Sequence, residues 1–293
     1  MIDGAGGEYV VRVVDPELAG AGRCLIHGFT IQNASDGITS TDAFDLAYCR
    51  VTDTSDGIDY EAGGGTVRFC TFDHNSDDAI DLDGPTAVLV EQCHLTDNGD
   101  DGIEIRLHPY AGTDTLRIVV RDNLIDHNGE DGIQLIGYDE ETARTFHFEG
   151  NRIVGNAMAG VGLMSGANTR EDYEAAALPE RILIVHNTFV DHEHHITGSA
   201  RALIANNLLV DARQIALKGQ VGASLITRNL QWSGPDVTPN LAPDHGLPTG
   251  SAAIDAGLRQ VQWLGTVWDL APAAEIRGAG PDVGAAERWA DSD

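Results

Sequence analysis

Asp-Gly-Ile occurs at Asp36, Asp56, Asp101 and Asp131, with Asp78-Ala79-Ile80 between the second and third. Upstream of each, and onward to the C-terminal side, strand-like stretches carry one punctuation residue: Phe29, Cys49, Cys70, Cys93, Asn123, Asn151, Asn187, Asn207 and Asn229. The intervals are 20, 21, 23, 30, 28, 36, 20 and 22 residues, a period near 20–23 with three inflated members. Self-similarity at such a period marks a solenoid, in which no repeat buries its apolar face without its neighbours. Inside each repeat the alternation has period two, so the elements are short strands and not helices. Ile118, Val120 and Ile125 share one face around Asn123, and Phe146, Phe148 and Ile153 share one around Asn151. A third strand follows the Asp-Gly turn and aligns Ile38, Ile58, Ile80, Ile103, Ile133, Val161, Ile196 and Ile215 as a core column. Three strands per coil, with like residues stacked ~4.8 Å apart, make an all-β parallel β-helix of about nine coils of 20–36 residues.

Composition narrows the partners. Eighteen Lys plus Arg against 46 Asp plus Glu give a net charge of −28, and Lys218 is the only lysine. Nucleic acid is excluded as an expected partner, because its binding needs a basic stripe that releases counterions. No apolar run reaches the ~18 residues of a membrane span. With 42% hydrophobic residues the chain has enough apolar surface for a core, and a monomer is expected.

The pattern of strand, Asn turn, strand, small-residue turn and Gly-Ile strand over residues 22–232 resembles the right-handed, single-stranded parallel β-helix proteins of the pectate-lyase type. The tail, GSAAIDAG at 250–257 and GPDVGAAE at 280–287, resembles the segment that closes many secreted, surface-anchored bacterial β-helix proteins. The resemblance implies residues 1–232 as the β-helix, 233–293 as a C-terminal capping segment, and a secreted or cell-surface location. The opening MIDGAGGEYVVRVV resembles an interior coil, so a truncated N-terminal coil is expected. Trp232, Trp263, Trp268 and Trp289 are expected to cover the last coil. Such folds host lyases, hydrolases and inert spacers alike, so chemistry has to come from outward positions.

Alternation sends the residue after each core Ile outward, giving Thr39, Asp59, Asp81, Glu104, Gln134 and Gly162, and two residues on Glu61, Asp83 and Arg106. At the preceding turn stand Asp36, Asp56, Asp78, Asp101 and Asp131, doubled by Asp77, Asp100 and Glu130. Carboxylates stacked ~4.8 Å apart repel by about 3–4 kcal/mol per pair at an effective dielectric of ~20, so something must offset them. Either each turn Asp accepts backbone N–H bonds as an Asx-type cap, or Ca²⁺ sits among Asp77, Asp78, Asp100 and Asp101 with Asp81 and Glu104. For the face itself, Asp81, Asp83, Glu104, Arg106 and His108 are the candidate catalytic groups. Asp81 beside Glu104 at ~5 Å suits a retaining glycosidase, and Asp83 diagonal to Glu104 at ~8 Å an inverting one. A polyuronate lyase would need a base, with Ca²⁺ neutralising the carboxylate of an acidic polysaccharide. Arg106 and Lys218 are candidates for it, but four coil steps separate them by ~19 Å.

Asp59, Glu61, Gln134, Tyr110, Tyr138 and Lys218 are the candidate substrate contacts. The inflated coils insert residues at 108–115, 138–145 and 165–180, just after outward strands, where they would wall a groove beside coils three to five with Tyr110, Tyr138 and Tyr173 as sugar platforms. TSDGID at Asp56 and SDDAID at Asp77 and Asp78 also resemble the aspartates of polygalacturonases, but GDDG at Gly99–Gly102 replaces that family's Gly-His-Gly. His192, His194 and His195 are expected as exposed turn residues, His194 continuing the Asp column. Cys24 is expected in the core, and Cys49, Cys70 and Cys93 either form one disulfide or stack reduced. A non-catalytic adhesion or glycan-binding module is the rival to a polysaccharide-cleaving enzyme.

Overall fold

The computed structural model describes residues 1–14, 23–138, 142–166, 173, 178–199, 201–220, 222–233, 241, 247, 251–270 and 280–285. Among them every regular element is a β-strand, and the coils from Ala43 to Gln220 contribute three each. Thr86–Glu91, His94–Thr96 and Ile103–Arg106 form one coil; Leu116–Arg121, Leu124–Asp126 and Ile133–Gly137 form the next. First strands pair only with first strands, in a nine-stranded parallel sheet from Cys24–His27 to Leu225–Thr227. Second and third strands stack likewise and merge into one 17-stranded sheet because Thr30–Ser40 runs unbroken through both positions. Among the described residues all coil-to-coil pairings are parallel, and the one antiparallel pair is Gln260–Trp263 with Thr266–Asp269 in the tail.

The interior is the expected aliphatic column. Ile38, Ile58, Ile80, Ile103, Ile133 and Val161 are fully buried in register, each a β-branched side chain suited to a pleated surface. At its end the structure corrects the register by two residues. Leu217, and not Ile215, pairs with Ile196, and Ile215 is 55% exposed. Cys24 is exposed although it shares the parity of the inward Ile26 and pairs with buried Phe44, because Cys24–His27 is the edge strand of its sheet.

Corners are made by single residues in the left-handed region: His74, Asp97 and His127 at one corner, Gln92, Asp122 and His186 at another, all at φ between 53° and 58°. Such backbone costs about 1–2 kcal/mol per non-glycine residue, and where Asn follows, it offsets the cost by hydrogen bonding along the axis. Asn123, Asn151, Asn187 and Asn207, all buried, and half-buried Asn229 form a ladder in which each side-chain amide donates to the next carbonyl oxygen at 2.9–3.1 Å. A second ladder, Asn75, Asn98, Asn128 and Asn156, runs at 2.8–2.9 Å and ends on His192. Cys49, Cys70 and Cys93 occupy the first ladder's position in the early coils as buried free thiols. The first two are therefore stacked and reduced, as is the third.

The tail's described residues lie against the outer surface of the coils. Trp263 and Leu270 pack on Leu183 and Leu203, which point outward from first strands, while Val283 and Ala253 pack on Leu208 and Val210. Ile226, the last inward residue of the first-strand sheet, is 44% exposed. Trp289 lies outside the described residues.

Candidate functional site

The turn aspartates form a relay. The backbone N–H of Asp78 donates to Asp56 Oδ1 at 3.1 Å, that of Asp101 to Asp78 at 2.7 Å, that of Asp131 to Asp101 at 2.7 Å, and that of Ala159 to Asp131 at 2.6 Å. Each carboxylate thus caps the next coil's turn instead of its own. One oxygen per residue is used this way; Asp101 Oδ2 is buried with no hydrogen-bond partner. Burial pushes the Asp78 and Asp101 carboxyls well above the ordinary carboxylate range, and Glu104 beside Asp78 and Asp78 beside Asp101 add to it. Burial likewise raises Asp56 to about 7.

The third strands Asp56–Tyr60, Ile80–Leu82 and Ile103–Arg106 then carry Asp59, Asp81 and Glu104 as direct register partners, with Gln134 next. One oxygen each from Asp78, Asp81 and Glu104 lie within 4.8 Å of one another. Asp81 Oδ1 and Asp59 Oδ1 are buried without a partner. Burial, then Asp83 and Glu104, raises Asp81 to about 9; burial, then Glu61, raises Asp59 to about 7. Glu104 is pushed up to about 7 by burial even though Arg106 opposes the shift. Arg106 bridges the diagonal, its Nε 3.0 Å from Asp83 Oδ1 and its Nη2 2.6 Å from Glu104 Oε1. Although burial works against its charge, Glu104, Asp81 and Asp83 hold the guanidinium above its ordinary value. His108 lies exposed at the edge, its ring stacked on Tyr138 with centroids 4.5 Å apart. Buried Arg144 fixes that edge by donating to the carbonyls of His108 at 2.9 Å and Gly84 at 3.1 Å.

Residues 17–189 match the family described as right-handed beta helix region. The chain belongs to the right-handed β-helix family. A pectate lyase of known crystal structure superposes with a TM-score of 0.57 at 13% identity, over 96% of this chain and 79% of that one, which shows a common fold. No curated protein matches the sequence.

Along this right-handed β-helix the expected site residues separate into groups. Asp81, Asp83, Glu104 and Arg106 come together as one cluster, with Asp59 adjoining it. The four expected metal residues do not share one cluster. Asp77, Asp78 and Asp100 make one, and Asp100, Asp101 and Glu130 another. Glu61 is exposed and Tyr110 half-buried on the flank. Gln134 follows Glu104 in register, but only 2% of it is exposed, so its side chain is covered where a substrate contact was expected. Lys218 was expected at Arg106's outward position, but with the corrected register it falls in Glu104's column, through Gln134, Gly162 and Thr197, while Arg106's column leads to Gln220. Lys218 Nζ lies 5.8 Å from the Tyr173 ring centroid.

Tyr173 is no sugar platform. It is buried and donates to Asp131 Oδ1 at 2.5 Å, in space left by Gly162, where a Cβ would lie 2.9 Å from its ring. Parts of the expected walls, residues 139–141, 167–172 and 174–177, lie outside the described residues. The histidine expectation is also corrected. His194 does continue the Asp column, pairing with Ala159, but His192, His194 and His195 are all buried. His192 terminates the second Asn ladder and bonds His195 at 3.1 Å, which draws both inward. That second ladder escaped notice in the sequence, although Asn-x-x-Asp at 75–78, 98–101 and 128–131 signals it.

Proposed function

We propose that the chain is an extracellular or surface-located β-helix protein that cleaves an acidic polysaccharide on its third-strand face, by β-elimination. The observation that carries this reading is the Asp78, Asp81 and Glu104 cluster, with a buried oxygen of Asp81 left without a partner directly beside Arg106. Hard, crowded carboxylate oxygens of this kind fit Ca²⁺, which takes 6–8 oxygen ligands. Asp78, Asp81 and Glu104 would hold it with Asp77 and Asp100 near by, and when bound it would neutralise the substrate's carboxylate and acidify the adjacent C–H. Arg106, kept cationic by three carboxylates, binds the uronate and is unsuited to act as base. His108 at the open edge is the group placed to take the proton, and Tyr138 holds its ring. Removal of the C5 proton forms the C4=C5 double bond as the C4–O bond breaks, and the departing oxygen takes up a proton. No water is consumed.

A specific observation favours a second reading. Asp81, raised to about 9, is a proton donor at neutral pH within 4.8 Å of a Glu104 oxygen, the arrangement of a retaining glycosidase. Digestion of polygalacturonate separates the two. Unsaturated uronate ends absorbing in the near ultraviolet mark elimination, and new reducing ends without them mark hydrolysis. Asp81→Asn and Glu104→Gln should each lower kcat by about 10²–10⁴, and EDTA should abolish turnover until Ca²⁺ is restored. Absence of cleavage across acidic glycans, with binding untouched by both substitutions, would leave a glycan-binding module instead.

A further inference from the structure

A groove of about 350 Å³ lies on a different face, the outer surface of the first-strand sheet, lined among others by Arg23, Thr66, Leu89, Arg117, Val119 and Arg121. Its hollow has a local cause. Gly63, Gly64 and Gly65 stand at φ of 84°, 123° and 124° within the strand Gly63–Arg68, a backbone path that only glycine follows without strain. A Cβ on Gly64 would sit 2.1 Å from the Ala87 carbonyl oxygen, and one on Gly65 1.8 Å from that of Phe44. One coil therefore gives the face almost no side chains, and the floor is small and apolar.

Among the described residues the lining carries three arginines and no carboxylate in a chain of net charge −28, with Asp45 adjoining Arg23 and Thr66. Arg23 is steered by Asp45 at 3.3 Å and Arg121 by Glu91 at 2.6 Å, each with N–H donors to spare. Arg117 is exposed and makes no hydrogen bond or ion pair among the described residues. The field is felt at the groove's end. His147, next in register after Val119, is lowered to about 4, first by burial and then by Arg117 and Arg121. From Arg23, beside the strand Cys24–His27, to Arg117 the groove crosses four coil steps, ~19 Å, the length of a short oligosaccharide and not of a lone anion.

We propose that this groove is a second binding site for a carboxylated oligosaccharide, with arginine forks on the carboxylates and ring faces on Ala87, Leu89 and Val119. The choice of a uronate rests on the reading of the third-strand face; the groove would keep the polymer on the protein between cuts and raise its local concentration.

The probe is hexagalacturonate, with the neutral galactose hexamer as control, titrated calorimetrically into the Asp81→Asn/Glu104→Gln protein. Expected is binding of the acidic hexamer alone, weakening from low salt to about 0.5 M. Arg117→Glu and, separately, Ala87→Glu should weaken it at least about tenfold with melting temperature unchanged, and Arg117→Lys should retain part of it. Equal affinity in Arg117→Glu, in Ala87→Glu or for the neutral hexamer overturns the proposal, as does no binding to the double variant. If Asp81→Asn/Glu104→Gln instead cleaves uronans at the parental rate, the catalytic reading fails while the groove substitutions still report on this one.

Discussion

Cys24 and Cys93 differ in exposure although both were expected inside. Cys24 faces solvent, whereas Cys49, Cys70 and Cys93 are 3–4% exposed at the corner later taken by Asn123. Cys93 shows how the exchange works, since its N–H donates to Asn123 Oδ1 at 2.9 Å while its sulfur approaches the Glu91 carbonyl at 3.3 Å. A thiol is a weak donor, so the early corners rest more on packing than on hydrogen bonds. In the native protein a thiol-specific reagent should label Cys24 quickly and the other three only after denaturant is added. Rapid labelling of more than one thiol per chain would show that the early corners open.

Each Asn ladder turns one side chain into several axial bonds. Asn151 accepts from the N–H and the amide of Asn123 at 3.1 and 3.0 Å and donates to Val120 O and Asn187 Oδ1 at 2.8 and 2.9 Å, all buried. Asn151→Ala strands those partners away from water, and at about 1–3 kcal/mol for an unsatisfied buried group a loss of roughly 3–5 kcal/mol is expected in urea unfolding. A loss below about 1 kcal/mol would mean that the corner is held by packing alone. The ladder on Asn123 was legible because its spacing sets the repeat. The one on Asn75 was hidden by the more conspicuous Asp-Gly beside it, and by Thr54 and His192 at its ends. Outward strand positions were legible too, since period two fixes which side chains share a face, and Asp81 meets Glu104 as expected. Burial on that face was not legible. Gln134 is 2% exposed and Tyr173 is buried against Asp131, and tertiary packing of this kind is not encoded by periodicity.

For the whole molecule, the net charge of −28 is distributed between groups that oppose each other in pH dependence. Asp56, Asp59 and Glu104 titrate at about 7 and Asp81 at about 9 in the folded chain, against unfolded values of 3.8 for the aspartates and 4.5 for Glu104. Between those limits the folded state binds more protons than the unfolded one, so their contribution falls as pH rises from about 4 to about 9. Histidines act in the other direction. Burial lowers His195 to about 3 and His147 to about 4, and His192 well below 6.5, so stability is lost as pH falls below 6.5 and the unfolded chain takes up the proton first. Asp73 and Asp126, lowered by Arg50 and by His94 and His127 against the effect of burial, add to the loss at the acid end. The four raised carboxylates outnumber the three lowered histidines, so without divalent cations the melting temperature should peak at about pH 4–5, where the unfolded carboxylates become protonated, and decline toward pH 9. Ca²⁺ bound at Asp78, Asp81 and Glu104 would replace the protons those carboxylates hold and raise the alkaline limb selectively, leaving the acid limb unchanged. Asp81→Asn should flatten the same limb without calcium and remove calcium's effect upon it. A melting temperature that climbs steadily from pH 6 to 9 in EDTA would contradict the buried, protonated state of this cluster. An equal calcium shift at pH 5 and pH 9 would place the ion elsewhere.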